Sequence, residues 1–255
     1  MTEFTVEFAG VPVAVQAQFA ATRQFCRDYL TQREPELRIS VTQEDLLAER
    51  ESVQQLETFQ NPSMRFLETL VLHRKLAEQL VHRGILLMHG SAVSADGLAY
   101  IFTARSGVGK STHARHWSEE LPKLGCEVFS VNDDKPFIQL TDAGAFVCGT
   151  PWNGKHHLSR NCSVPLRAIC FLRRGETNAV TPVTQAESWE KLFNQIYFPT
   201  NASGTGAVLQ LIDRLLQCTR QYDLVCTDSP EAALTAWQAL RPDAQTAGQE
   251  TGHEL

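Results

Sequence analysis

The chain has 255 residues, of which 43% are hydrophobic, enough for one large domain or for one domain with a small attached lobe. Its formal net charge is −6 and it has no run of lysines or arginines, which argues against a nucleic-acid partner. The amino terminus lacks the basic-then-apolar pattern of a signal peptide, and no apolar run approaches the roughly 20 residues of a membrane helix. For this reason no membrane partner is expected. The seven cysteines form no C-x-x-C pair, so we expect reduced thiols and a cytoplasmic protein.

Residues 1–61 are predicted to form a small α+β lobe. The start, "TEFTVEFAGVPVAV", alternates apolar and other residues and predicts two strands joined by a tight turn. A helix near residues 19–31 and a short strand "LRISV" follow. Thr42 with Asp45 three positions later is typical of the capping box that opens a second helix.

A long helix is predicted to open the second unit, residues 62–240. Asn61 is a good helix cap, Pro62 fits the first helical turn, and apolar residues recur at helical spacing up to Gly84. On this pattern His73 lies on the polar side of the helix and is expected to be exposed.

The next segment, "ILLMHGSAVSADGLAYIFTA", predicts a hairpin, because Asp-Gly between two apolar runs favours a two-residue turn. In the resulting register Ser91 faces Phe102 and His89 faces Ala104. His89 would then lie beside the loop that follows the second strand.

Strands and helices alternate through the rest of this unit. We expect a helix from Ser111, strands at "EVFSVND", "LRAICFL" and "YDLVCT", a hairpin at "FIQLTDAGAFV", two helices between about 185 and 219, and a helix from Pro230. This order indicates an α/β fold with a mostly parallel central sheet and antiparallel additions. The polar, aperiodic segment 241–255 is predicted to be a disordered tail.

The stretch "ARSGVGKST" resembles a phosphate-binding loop with alanine in place of the leading glycine. Such a loop aims backbone N–H groups and a helix N-terminus at phosphates. Its lysine reaches the β- and γ-phosphates and its serine ligates Mg²⁺. The alternative is a glycine-rich turn that binds nothing. The predicted nucleotide-binding residues are Ser106, Gly107, Val108, Gly109, Lys110, Ser111 and Thr112.

The sequence "SVNDDKP" places Asp133 and Asp134 at the end of an apolar strand, where open α/β sheets build their sites. Phosphoryl transfer needs a metal ligand and a group that accepts the proton of the incoming hydroxyl. Adjacent strand residues point to opposite faces, so we expect the two aspartates to divide these tasks. A solvated acidic turn is the alternative.

Two further stretches are candidates for substrate or phosphate contacts. "GTPWNGKHH" places Lys155 in a loop after a strand, and a packed tryptophan with a surface lysine is the alternative. Arg173 and Arg174 follow the strand "AICFL", where an arginine can stabilise charge on a moving phosphoryl group. A plain surface arginine pair is the alternative.

Three stretches in order, "LLMHGSAVSADGLAYIFTARSGVGKSTH", "VNDDKPFI" and "GTPWNGK", resemble the HPr kinase/phosphorylase type of P-loop kinase, whose nucleotide-binding fold is shared with phosphoenolpyruvate carboxykinase. The resemblance implies a mixed sheet of that type flanked by helices, with ATP and Mg²⁺ bound at the loop. It implies His89 near the γ-phosphate, Asp133 as the base for the acceptor, and Asp134 with Ser111 on the metal.

We therefore expect an ATP-dependent kinase that phosphorylates a hydroxyl, with Ser or Thr of a protein or peptide as the first candidate acceptor. A kinase for a small hydroxylated metabolite and a nucleotide-binding regulatory protein without transfer are the alternatives. A homo-oligomer is one option for the oligomeric state, and dephosphorylation beside the kinase activity is left open.

Overall fold

The structure is a computed structural model, described here for residues 1–55 and 61–242. The strands are β1 Thr2–Phe8, β2 Val11–Ala17, β3 Leu37–Ser40, β4 Ile85–Leu87, β5 Ser91–Ala95, β6 Leu98–Thr103, β7 Val128–Asn132, β8 Phe137–Thr141, β9 Gly144–Cys148, β10 Ser163–Arg174, β11 Ala179–Pro182 and β12 Arg220–Cys226. The α-helices are α1 Ala20–Phe25, α2 Gln43–Gln55, α3 Met64–Leu80, α4 Lys110–Glu120, α5 Gln185–Phe193, α6 Ala202–Cys218 and α7 Pro230–Leu240.

Strands β1, β2 and β3 form a separate three-stranded sheet near the amino terminus. The helix expected near 19–31 is shorter, since α1 is followed by a 3₁₀ turn over Arg27–Tyr29. The capping box of α2 is confirmed, because Asp45 and Thr42 exchange side-chain to backbone hydrogen bonds. The buried carboxylate of Glu68 on α3 accepts hydrogen bonds from the N-terminus of α1, which ties the lobe to the long helix.

The start of α3 differs from the prediction. Ser63 caps the helix and accepts a hydrogen bond from Phe66 N–H at 3.2 Å, whereas Asn61 has a positive φ of 57° outside it. His73 is buried, not exposed, and its ring stacks on Trp152 with centroids 4.4 Å apart. The helical pattern alone did not show that the loop carrying Trp152 covers this side of α3.

The second sheet is mixed and runs in the order β4-β8-β9-β10-β6-β5-β7, with β12 on β10 and β11 on β12. Strand β10 pairs in parallel with both β6 and β12, so Ile169 faces Ile101 on one side and Gln221 on the other. The mixed α/β class is confirmed, but the expectation of a mostly parallel sheet is wrong. Short hairpins connect β5 to β6 and β8 to β9, and such connections impose antiparallel pairing.

The predicted boundary between 1–61 and 62–240 adjoins residues 56–60, which lie outside the described residues, as do 243–255 of the predicted tail. One apolar core joins the first sheet to α3, β4, Phe137 and Trp152. Two further clusters fill the two faces of the large sheet. All seven cysteines are free thiols. Within 1–55 and 61–242, no helix combines the length and apolar character needed to cross a bilayer.

Candidate functional site

The glycine loop connects β6 to α4 at the carboxyl end of a central strand. β6 ends at Thr103 and α4 begins at Lys110. Gly107 and Gly109 have φ of 81° and 120°, and a Cβ at either position would meet no other atom within 4 Å. Backbone conformation therefore favours glycine here, because L side chains rarely adopt these angles. The loop is largely exposed and leads directly into a helix N-terminus, where N–H groups lack intrahelical partners.

Lys110 folds back over the loop. Its Nζ donates to the carbonyls of Ala104 at 3.0 Å and Arg105 at 3.4 Å, and the residue is buried. Burial lowers the pKa of Lys110, while the charge of Asp134 acts in the opposite direction. The ammonium group is thus held against the loop and interacts electrostatically with Asp134, which follows β7.

Arg174 holds the second half of the loop from the end of β10. Its guanidinium donates to the Val108 carbonyl at 3.0 Å and to the Gly107 carbonyl at 3.2 Å. Both carbonyls are directed to the arginine. The neighbouring Arg173 is exposed at the same strand end. Of the two predicted arginines, the structure places Arg174 on the loop.

Asn132, at the end of β7, organises the turn that carries both aspartates. Its Oδ1 accepts hydrogen bonds from the N–H groups of Asp134 at 2.9 Å and Lys135 at 2.6 Å. Its Nδ2 donates to the carbonyls of Thr150 and Trp152 at 3.0 and 3.3 Å. The side chain is fully buried. One amide therefore joins the aspartate turn to the segment that contains Trp152.

Asp133 is turned toward that same segment. Its Oδ1 accepts a hydrogen bond from Gly154 N–H at 2.5 Å, and its carbonyl accepts one from the Ser91 hydroxyl at 2.9 Å. Its Oδ2 is buried and has no hydrogen-bond partner in the described part of the chain. A Cβ at Gly154 would lie 3.1 Å from that Oδ2. Glycine thus allows the loop backbone to lie directly against the carboxylate.

Asp134 faces the other way, toward His89 and Lys110. Its Oδ1 lies 3.4 Å from His89 Nε2, and its side chain keeps 34% of its exposure. Burial alone raises the pKa of Asp134, but the hydrogen bond from His89 and the charges of Lys135 and Lys110 outweigh it, so the pKa lies below its usual value. Asp134 is therefore an ionised, accessible oxygen donor at neutral pH.

His89 lies just before β5. The ladder with β6 ends at the confirmed pair Ser91–Phe102, and the expected His89–Ala104 pair is replaced by a bond from His89 N–H to the Gln195 carbonyl at 2.7 Å. The Thr103 hydroxyl donates to the His89 carbonyl at 2.8 Å. His89 remains beside the end of β6, although the pairing that was expected to place it there is absent from this described hairpin.

The remaining predicted residues lie around this centre. Ser111 and Thr112 occupy the first turn of α4 and are half-buried, while Ser106 is exposed at the tip of the loop. Lys155 is exposed in the loop that follows Gly154. The structure thus groups Lys110, Asp134 and His89, and places Asp133 on the opposite side of the turn.

Sequence reasoning missed the residues that build the site. Asn132 had a readable signal, because an asparagine two residues before a turn N–H commonly accepts from it. Gln195 had none, since it reaches His89 through its backbone carbonyl from a segment about a hundred residues away.

Comparisons with known proteins add little to this geometry. Neither the protein-family models nor the curated proteins gave a match. Among solved structures, the HPr(Ser) kinase/phosphatase from Coxiella burnetii is similar with a TM-score of 0.31 and 9% identity, over 58% of this chain and 89% of that chain. A TM-score of this size carries no functional conclusion.

Proposed function

We propose that this protein is an ATP-dependent kinase that transfers the γ-phosphate to a hydroxyl group, most simply of Ser or Thr in a protein or peptide. The observation that carries the proposal is the convergence of Lys110, Asp134 and His89 at a glycine loop that opens a helix. A loop N-terminal to a helix suits an anion, and a lysine at its mouth suits the terminal phosphates. A plain turn needs neither an ionised carboxylate nor a histidine beside it.

The donor set also fits Mg²⁺. Asp134 supplies an ionised carboxylate and Ser111 a hydroxyl, and hard cations of this kind prefer such oxygen ligands. Bound there, the metal would neutralise charge on the phosphate oxygens. His89 would orient Asp134 through the contact between Nε2 and Oδ1. Lys155 and Arg173 are retained in the proposal as contacts to substrate or phosphate, and Arg174 acts on the phosphate through the loop carbonyls that it holds.

Asp133 is the proposed base. The acceptor oxygen forms a bond to the γ-phosphorus while the bond from that phosphorus to the bridging oxygen breaks, ADP leaves, and the hydroxyl proton passes to Asp133. Oδ1 is engaged by Gly154, which leaves Oδ2 for the proton. Because Oδ2 is covered, the segment around Gly154 has to move before an acceptor can approach.

The burial of Asp133 Oδ2 supports a second candidate, a nucleotide-binding regulatory protein in which the loop binds ATP and no phosphate is transferred. A kinase for a small hydroxylated metabolite remains the variant of the first proposal that differs only in acceptor. The three candidate functions differ in the molecule that receives the phosphate, which is a protein or peptide, a small metabolite, or none.

The test is transfer of label from γ-labelled ATP with Mg²⁺ in a lysate of the host, analysed for proteins, peptides and metabolites. We expect label on one species with the natural chain and only background with Lys110→Ala, because the lysine contacts the transferred group. Label on a metabolite would change the acceptor class. If ATP binds and no label is transferred, the regulatory alternative is established. If Lys110→Ala transfers label as well as the natural chain does, the loop is not the site.

A further inference from the structure

The loop that follows Trp152 lies in a stretch of chain with an excess of positive charge. No Asp or Glu occurs between Asp142 and Glu176, although the whole chain of 255 residues has 29 acidic ones. The same stretch contains two histidines and several permanent cations, which are Lys155, Arg160, Arg167, Arg173 and Arg174. We call residues 153–160 the basic loop. The proposed function assigns no particular class of ligand to it.

The basic loop is fixed at both ends. Trp152, just before it, is buried, and its indole N–H donates to a carbonyl of α3 at 2.9 Å. Asn153 closes the loop on itself by donating to the Ser159 hydroxyl at 3.1 Å. At the far end, the Arg160 N–H donates to the Val131 carbonyl of β7 at 3.1 Å. The side chains between these ends are therefore presented from an ordered base.

The cations of the basic loop have no acidic partner within the part of the chain that the structure describes. Lys155 and His156 are exposed, and their side chains make no hydrogen bond or ion pair there. Arg160 lies 4.1 Å from the centroid of an aromatic ring, a contact that leaves its charge in place. Asp28, whose carbonyl contacts the chain just past the loop, is paired with Arg27 at 3.6 Å. The loop cations are thus free to pair with negative charge on another molecule.

The positive charge extends inward to Lys135, in the turn that carries both aspartates. Its backbone is held on both sides, since its N–H donates to Asn132 at 2.6 Å and its carbonyl accepts from the Thr150 hydroxyl at 2.8 Å. Its half-buried ammonium makes no hydrogen bond or ion pair among residues 1–55 and 61–242, and the charge of Asp134 compensates its burial only in part. A partly buried charge without a close partner is costly, so this position suits an incoming anion.

The basic loop also touches the proposed base. Gly154, directly before Lys155, donates its N–H to Asp133 Oδ1 at 2.5 Å and lies against the buried Oδ2. An acceptor has to displace this segment to reach Oδ2, so the segment that covers the base is also the one that carries the free cations. These cations lie on an open surface, whereas sites for small molecules are concave and enclose their ligand. A segment of polymer therefore fits this surface better than a metabolite.

We propose that the basic loop binds the acceptor, and that the acceptor is a protein or peptide segment in which the Ser or Thr is flanked by Asp or Glu. This inference rests on the proposed function and names the substrate class of that site. The flanking carboxylates pair with Lys155 and Arg160 on the loop and with Lys135 nearer the aspartates. Such charge complementarity steers association and disfavours partners of the wrong sign. Leu158, 48% exposed on the same loop, adds an apolar contact.

The test uses short synthetic peptides that contain one Ser and differ only in the residues that flank it, which are Glu, Gln or Lys. Fluorescence anisotropy measures their binding to the full chain with Mg²⁺-ADP, and transfer from γ-labelled ATP gives the KM for peptide and for ATP separately. The Glu-flanked peptide should bind at least about fivefold more tightly than the Gln-flanked one, and the Lys-flanked peptide should bind most weakly. High salt should reduce the difference, because exposed charges are screened.

Lys155→Glu is the decisive variant. It should weaken binding of the Glu-flanked peptide about tenfold, because an exposed attraction is replaced by a repulsion, and leave the KM for ATP unchanged. Since Lys155 is exposed, the substitution should leave the fold intact. Lys123→Glu, in the 3₁₀ turn after α4, changes the net charge by the same amount at another exposed lysine and is the matched control.

The outcomes separate this inference from the proposed function. Equal affinity for the Glu- and Gln-flanked peptides, including no measurable binding of either, would overturn the acidic acceptor and leave ATP binding at the glycine loop standing. A higher KM for ATP with unchanged peptide affinity in Lys155→Glu would also overturn it, since the basic loop would then contact the nucleotide. If the chain binds acidic peptides but neither binds ATP nor transfers label, the proposed function fails, and the basic loop loses its role in binding an acceptor.

Discussion

The two sides of the candidate site are built in opposite ways. The aspartate turn is held by the buried Asn132 amide, which accepts from two N–H groups of the turn and donates to two carbonyls of the segment that contains Trp152. The glycine loop is largely exposed and is held mainly by two side chains, Lys110 at its own end and Arg174 at the end of β10. The difference indicates that the two sides have different functions, a division of labour between chemistry and phosphate binding. Carboxylates that act on a reacting atom need fixed positions, whereas a phosphate loop can adapt to its ligand.

The strongest test of this difference is Asp133→Asn. An amide can keep the hydrogen bond from Gly154 but cannot accept the proton of an acceptor, so kcat should fall by about 10² to 10⁴ while ATP affinity stays unchanged. Steady-state transfer rates and calorimetric ATP binding measure the two effects. Asp142→Asn in the β8–β9 turn is the control. An equal loss of rate and ATP affinity would instead place Asp133 on the metal.

Asn132→Ala tests whether the turn is as rigid as its bonds suggest. The truncation leaves two N–H groups and two carbonyls without their partner in a fully buried position, so we expect a loss of about 3 kcal/mol in the free energy of unfolding. Urea unfolding of the full chain measures it. Asn161→Ala, which removes one bond from an exposed side chain, should cost less than about 1 kcal/mol. A comparable loss in both variants would contradict the special role of Asn132.

The sequence predicted the parts of the fold and site that depend on local chemistry. The β5–β6 hairpin follows from its turn dipeptide, and the capping box of Thr42 follows from its spacing. It failed where distant segments decide. His73 is buried because Trp152 stacks on it, and the central sheet is less parallel than expected because hairpins add its outer strands. The roles of Lys110, Asp133 and Asp134 remain predictions, since position alone does not show chemistry.

The pH dependence of the free energy of unfolding tests the buried side alone, because His73 stacks on Trp152 there. Burial, with a smaller effect from Lys135, lowers the pKa of His73 to about 3. The unfolded chain binds a proton below about pH 6.5 and the folded chain only near 3, so stability should fall with decreasing pH across this interval. His73 contributes at most about 1.4 kcal/mol per pH unit. His113, also shifted to about 3, adds a similar contribution.

His73→Phe should therefore remove about half of this acid destabilisation while keeping a ring against Trp152. Urea unfolding between pH 4 and 7 measures the slope. His82→Asn, at an exposed position one turn beyond α3, is the matched control and should leave the slope unchanged. An unchanged slope in His73→Phe would show that the histidine binds a proton in the folded protein.

The smallest expected effect is on the exposed side, from Arg174→Ala. Removing the guanidinium releases the carbonyls of Gly107 and Val108, so the loop has to be ordered by the nucleotide itself. Because these bonds are solvent-exposed, we expect only about a fivefold rise in the KM for ATP, with kcat nearly unchanged.

Arg174→Lys should restore part of the loss, since an ammonium cannot reproduce the two-pronged contact. Arg115→Ala, at an exposed position on α4, should match the natural chain. Steady-state kinetics over a range of ATP concentrations separate KM from kcat. A fall in kcat of a hundredfold or more at unchanged KM would mean that Arg174 leaves the loop carbonyls and contacts the transferred phosphoryl group. The exposed side would then hold a group that acts on the reacting atoms, and the division of labour between the two sides would be wrong.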